Sequence, residues 1–264
     1  MSLIPGSVDL LASASGMAWV CGVTVVAGFA HGLSGFGFPL ISTPVVALFT
    51  DVRTAVLVTL FPNIVVNLAS AFTGSGWRQN IYRHRWIPLW VVLGTIIGTQ
   101  VVLLAPQGPL RMLLAVVIVV YLRQEQLRLI DWSVITRHPQ ASGCAFGLVA
   151  GFLSGTVNVM LPPLLIFFTT LGLVPLVMTQ VLNACFLVGK VSQATVFAAH
   201  GQFSAAGLAL TIPVCLVTFA GYFAGRRLQS RIGPATYRAL IRAVLWAIAA
   251  MLAAQVLYGL LVPA

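Results

Sequence analysis

Only one charged residue of this 264-residue chain, Lys190, lies well inside a long apolar stretch. A charge at that depth of a bilayer costs at least about 2.5 kcal/mol on insertion scales, so it needs a reason. One reason is an anion drawn to a buried ammonium; the other is a side chain snorkelling to the nearer interface. His31, inside the first apolar stretch, is the best remaining proton carrier, since imidazole changes charge near physiological pH. A structural histidine bonded to a neighbour is the plainer reading. Asp9, Asp51, Glu125 and Asp131 all fall at loops or ends of apolar stretches. That argues against a carboxylate proton relay and against a cation substrate.

Polar side chains form two stripes. At 100° per residue, Thr59, Asn63, Asn67 and Ser70 fall within about 80° of one another on a helix. Gln180, Asn183, Lys190 and Gln193 fall within about 140°, with Asn183 and Lys190 nearly superposed. A lone buried amide can simply bond a neighbouring helix; two stripes at corresponding places favour a lined cavity. Ser34 and Ser154 each precede a glycine, and Gly35, Gly37, Gly155 and Asn158 fall where helices are expected to break. Backbone N–H groups and positive helix ends at such breaks, with the amides and hydroxyls, make a donor-rich pocket suited to a tetrahedral or pyramidal oxyanion. The expected substrate-binding set is Ser34, Gly35, Phe36, Gly37, Asn63, Asn67, Ser154, Gly155, Asn158, Asn183 and Lys190. Phe36 and Phe38 are placed to gate the pocket or pack on an apolar part of the substrate. No cofactor or metal is expected. Cys21, Cys144, Cys185 and Cys215 lie in apolar stretches without metal-type spacing and read as small buried residues.

The elements that must position these residues cross a membrane. Apolar residues make up 59% of the chain and charged ones 7%, which excludes a soluble domain. Apolar stretches run at about 16–50, 55–73, 86–105, 110–122, 139–172, 174–198, 203–224 and 239–261. Three basic loops separate them: Arg78, Arg83 and Arg85; Arg123, Arg128 and Arg137; Arg226, Arg227, Arg231, Arg238 and Arg242. The net charge of +10 is thereby explained by orientation, with the loops facing the cytoplasm, and nucleic acid is not a partner. Parity requires 139–172 to cross twice as two short helices or to enter and return as a re-entrant hairpin, breaking near Gly155-Thr156-Val157-Asn158 and Pro162-Pro163, and likewise 16–50 near Gly35-Phe36-Gly37-Phe38-Pro39. Both termini then lie outside. Without a basic segment ahead of it, the first apolar stretch is expected to stay in the mature protein.

At a spacing of 120, Ser34-Gly35 falls on Ser154-Gly155, Thr59 on Thr179 and Asn63 on Asn183. With an odd number of elements, about five, in each half, the halves are inverted repeats, a transporter signature in which interrupted helices meet at the site. The expected fold is an all-α integral membrane protein of two such repeats, 1–122 and 139–264, joined by a cytoplasmic basic linker, 123–138, with interruptions near 34–39 and 154–163. Small-xxx-small spacings at Gly28/Gly32, Gly94/Gly98, Gly147/Gly151/Gly155 and Gly221/Gly225 allow close helix approach in lipid.

The run Gly28-Phe29-Ala30-His31-Gly32-Leu33-Ser34-Gly35-Phe36-Gly37-Phe38-Pro39, with the later Asp51-Val52-Arg53-Thr54-Ala55, resembles the sulfite exporter TauE/SafE family, also described as the 4-toluene sulfonate uptake permease family. At the second break, where members usually show a GxGGG-like run, this chain has Gly155-Thr156-Val157-Asn158-Val159-Met160. The resemblance covers essentially the whole chain. It implies a secondary carrier of a small organosulfur anion such as sulfite, sulfoacetate or another sulfonate, or in some members another small organic acid, in a bacterial cytoplasmic (inner) membrane. Two other classes fit parts of the sequence. Gly32-Leu33-Ser34-Gly35 matches the GxSG pattern of rhomboid-type intramembrane serine proteases, with His200 as the imagined base. A channel or structural subunit is the third, separable from a carrier by saturable, competable uptake.

Overall fold

The computed structural model describes residues 7–123, 126, 130–229, 231, 246 and 249–250. All but residues 246 and 249–250 of the last expected element, 239–261, and much of the linker's middle therefore lie outside the described residues. Every described element is an α-helix.

Local chemistry sets the first boundaries. A short α1 (Ser7–Ala12) precedes α2 (Ala14–Ser34), whose Ser13 N-cap accepts from the Gly16 N–H at 3.1 Å. α2 stops at Gly35, whose φ of 80° is left-handed and costs a glycine little. After Gly37, at φ 110°, α3 (Phe38–Phe49) starts with Pro39 in its first turn. Asp51 caps α4 (Val52–Ala71), accepting from the Thr54 N–H at 3.0 Å. Then follow α5 (Trp77–Arg83), α6 (Trp86–Leu104), α7 (Gln107–Leu122) and α8 (Ser133–Arg137). α9 (Pro139–Val157), α10 (Leu161–Thr170), α11 (Pro175–Ala199) and α12 (Ala205–Leu228) complete the described helices. Among the described residues six helices, α2, α4, α6, α9, α11 and α12, are long and apolar enough to cross a bilayer, while α3, α7 and α10 are shorter apolar helices.

Both long runs break into hairpins, 16–50 as α2–α3 and 139–172 as α9–α10. The second break is narrower than the sequence suggested. α9 continues through Ser154, Gly155 and Val157, and Asn158 takes the left-handed turn at φ 63°. Gly155 is thus a helical packing residue: a Cβ there would sit 2.5 Å from the Thr95 carbonyl oxygen.

The two most extensive helix contacts are α6 with α9 and α2 with α12. Glycines close both: a Cβ at Gly151 would lie 2.2 Å from the Val91 carbonyl oxygen, and one at Gly225 2.1 Å from that of Phe29. Backbones can approach this closely only where side chains are absent, and in lipid such van der Waals contact drives association. In both pairs the chains run parallel. α4, the most buried of the six long helices, and α11 pack together between these pairs.

The ends sort by charge. Gln180, near the start of α11, donates to the Thr73 carbonyl at 2.8 Å and accepts from Asn80 at 2.7 Å, joining it to the end of α4 and to α5. Arg226 at the end of α12 reaches Thr73 Oγ1 at 2.8 Å. Gln107, opening α7, instead accepts from the Val52 N–H at 3.2 Å, at the far end of α4. The described residues of the three basic loops accordingly share one end, as orientation by positive charge requires. Arg53 and Arg111, at the opposite end, serve as caps: Arg53 Nε donates to the Val102 carbonyl at 2.9 Å and Arg111 to that of Thr50 at 3.0 Å.

Candidate functional site: buried polar nodes at two helix breaks

Asn158 holds the second break. Asparagine tolerates the left-handed region better than most residues, and here its amide is fully used. Nδ2 donates to Thr43 Oγ1 at 2.6 Å and to Thr59 Oγ1 at 3.1 Å, while Oδ1 accepts from Asn63 Nδ2 at 3.2 Å. Asn67 joins through the Asn63 carbonyl at 2.6 Å and the Asn63 amide oxygen. All five side chains are fully buried. The node ties α3 and α4 to the α9–α10 break. Pro162 and Pro163 remove two N–H groups from the first turn of α10, so side-chain amides supply more donors at this break than the open backbone expected from sequence.

The first break is held from the other half. Asn183 Nδ2 donates to the Gly35 carbonyl at 2.7 Å, and a Cβ at Gly35 would lie 2.8 Å from Thr179 Cγ2. Ser34 Oγ is spent locally on the carbonyls of Ala30, at 3.0 Å, and Phe36. His31 Nε2 meets Ser70 Oγ at 2.9 Å, and the Phe38 N–H points at Nδ1 at 3.4 Å. Phe38 packs with Ala27, Ala30, Ile41 and Val66 as a core residue, not a gate, whereas Phe36 is half-buried.

Lys190 does not snorkel. It is fully buried, and Nζ donates to the Ser154 carbonyl at 3.2 Å and to Gln193 Oε1 at 2.5 Å. Gln193 Nε2 donates in turn to the Gly155 carbonyl at 2.9 Å. Both partners of the ammonium are neutral. The Ser154 carbonyl also accepts from the Asn158 N–H at 3.2 Å, which places Lys190 beside the Asn158 node. Ser154 Oγ, Thr95 Oγ1 and Asn67 Oδ1 are buried with no hydrogen-bond partner among the described residues. Lys190 and these unused hydroxyls are donors of the kind a small oxyanion needs.

The expected binding residues therefore fall into two groups. Asn63, Asn67, Asn158, Ser154, Gly155 and Lys190 gather at the second break; Ser34, Gly35, Phe36, Gly37, Asn183 and His31 gather at the first. Gln180 leaves its stripe and ties down the α4–α5 connection. Thr43, Thr95 and Tyr222 were missed, because a lone threonine or tyrosine in an apolar run carries no signal until its partner helix is known. A small apolar pocket lined by Leu57, Phe61, Phe203 and Leu208 lies on another face of α4, away from both nodes. The protease reading fails on geometry. Ser34 sits near Thr179, and His200 is 21 residues further along the same straight element, α11, about 30 Å away at 1.5 Å per residue.

Six long apolar helices among the described residues, packed around polar nodes at two helix breaks, define a multi-pass membrane protein. The chain belongs to the sulfite exporter TauE/SafE family, whose profile matches residues 20–252, nearly the whole chain. That is a transporter family, and the protein is a transporter rather than an enzyme. No curated protein and no solved structure matches the chain.

Proposed function

We propose that the protein is a secondary carrier of a small organosulfur anion, sulfite, sulfoacetate or another sulfonate, in a bacterial cytoplasmic membrane. The observation that carries this reading is Lys190, a fully buried ammonium whose partners are a carbonyl and an amide oxygen. A buried charge without a counter-charge is stabilised when an anion joins it. Two inverted repeats, 1–122 and 139–264, move against one another for alternating access. The matched contact pattern supports this motion: each half's broken hairpin packs against the last described long helix of the other half.

Binding of sulfite, sulfoacetate, 4-toluene sulfonate and acetate to purified protein, followed by calorimetry, tests the proposal. Sulfur oxyanions should bind, and Lys190→Met should weaken them by about 1 to 3 kcal/mol, the range of a lost charge-assisted hydrogen bond. Acetate binding alone, or unchanged affinity in a folded Lys190→Met protein, would defeat it.

A further inference from the structure

A continuous line of side-chain hydrogen bonds runs from the basic end of the bundle to the first helix break. Arg226, exposed at the end of α12, donates to Tyr222 Oη at 3.1 Å. Ser70 Oγ donates to the same phenol oxygen at 3.3 Å, and His31 Nε2 lies 2.9 Å from Ser70 Oγ. His31 Nδ1 then accepts from the Phe38 N–H, in the first turn of α3. Three helices, α12, α4 and α2, each supply one link. Tyr222, Ser70 and His31 are buried, so only the Arg226 end meets solvent.

We propose that His31, Ser70 and Tyr222 form a proton path between the basic face and the first break, which couples proton movement to the carrier cycle. The proposal rests on the carrier reading above.

The donor order suits the task. With Nδ1 occupied as an acceptor, the neutral imidazole carries its hydrogen on Nε2 and donates to Ser70. Tyr222 Oη accepts from Ser70 and Arg226, which leaves its own O–H free to donate. A proton taken at Nδ1 gives imidazolium. The Nε2 proton passes to Ser70 Oγ, the Ser70 proton to Tyr222 Oη and the Tyr222 proton to water at the basic face. One proton enters, one leaves and no electron moves; rotation of the ring and hydroxyls resets the line, and reversed rotations carry the proton the other way. Serine and tyrosine both donate and accept, which such a relay requires.

Among the described residues, four groups face His31. α3 presents the Phe38 N–H, α4 Ser70, α11 the neutral Asn183, and α12 Tyr222, whose ring centroid lies 5.8 Å from that of His31. Arg226 is the charged group on the line, and no carboxylate stands on it. Nδ1 can take a proton only when the Phe38 N–H withdraws. Movement of the start of α3 and protonation of His31 are thereby linked, which is what coupling needs.

Two measurements test the path. In proteoliposomes holding an internal pH dye, a sulfoacetate gradient should drive proton flux through wild-type protein. Tyr222→Phe and Ser70→Ala should lower that flux at least tenfold while labelled-sulfoacetate counterflow persists, and Ser70→Thr should restore it. Counterflow without proton flux in wild type, or full flux in Tyr222→Phe and Ser70→Ala, would overturn the path and leave the carrier reading intact. Absence of sulfoacetate counterflow would count against the carrier reading instead. The second measurement then decides the path without substrate: solvent exchange of the His31 Nε2–H, followed by NMR, should slow at least tenfold in Tyr222→Phe, and an unchanged rate would overturn it.

Discussion

Asn63 and Asn183, at matching places in the two halves, each bond the helix break of the opposite half. Asn63 Nδ2 donates to Asn158 Oδ1 at 3.2 Å, and Asn183 Nδ2 donates to the Gly35 carbonyl at 2.7 Å. The threonine one turn before each also meets that break: Thr59 Oγ1 accepts from Asn158 at 3.1 Å, and the Thr179 side chain packs against Gly35. Displacement of one half relative to the other must break both amide contacts, so these residues sit where a carrier would change state.

Asn158 combines a left-handed backbone with three buried hydrogen bonds. Asn158→Gly keeps the backbone and loses the bonds; Asn158→Ala loses the bonds and adds about 1 kcal/mol of backbone strain. Alanine should therefore lower thermal stability in detergent more than glycine does. The opposite order would show that the turn is not what constrains this position.

Helix contact predicts opposite signs for two glycine-to-alanine changes. Gly151→Ala forces a Cβ to within 2.2 Å of the Val91 carbonyl oxygen and should destabilise by about 1 to 3 kcal/mol. Gly22, on the exposed face of α2 with nothing within 4 Å, should accept alanine with no loss, or with a gain of up to about 1 kcal/mol. Melting temperatures of the two variants decide it.

The unpartnered hydroxyls of Ser154 and Thr95 separate folding from binding. Because neither makes a hydrogen bond, Ser154→Ala and Thr95→Val remove nothing from the resting fold and should leave stability within about 0.5 kcal/mol. Sulfur-oxyanion affinity should fall in both. Retained affinity would move the anion away from these hydroxyls.

At the basic end, Gln180 holds the carbonyls of Thr73 and Ser75, at 2.8 and 3.3 Å, and the amide of Asn80. Gln180→Ala should loosen this closure. Labelling of a cysteine placed at Ser70, with the four native cysteines replaced by alanine, should then become several-fold faster with a membrane-impermeant maleimide added at the basic side. An unchanged rate would mean that other contacts keep that end shut.

Orientation can be read in whole cells. An impermeant maleimide should label a cysteine at Gly108, at the end opposite the basic loops, and spare one at Ser75 until the cells are opened. The reverse pattern would invert the topology.

Much of this architecture was legible in the amino-acid order. Composition dictated a membrane-embedded chain, the Gly35-Phe36-Gly37 run marked a break, and glycine spacings marked the faces at which α2 and α9 meet α12 and α6. The basic loops gave a common end, and the resemblance at Gly28 to Pro39 pointed to the family that the whole-chain match then established. Helical periodicity tells which side chains share a face. It does not tell which helix lies opposite, because in lipid the packing partners of an apolar face carry no complementary pattern. Tertiary structure therefore decided that Lys190 ends on the Ser154 carbonyl instead of at an interface, that Gln180 ties a loop instead of lining a cavity, and that Ser34 and His200 lie far apart. It also decided the second break. The sequence offered Gly155 and Asn158 alike, and the turn settled on Asn158 because Thr43, Thr59 and Asn63 converge there to satisfy its amide, while Gly155 was needed inside α9 to admit the backbone of α6.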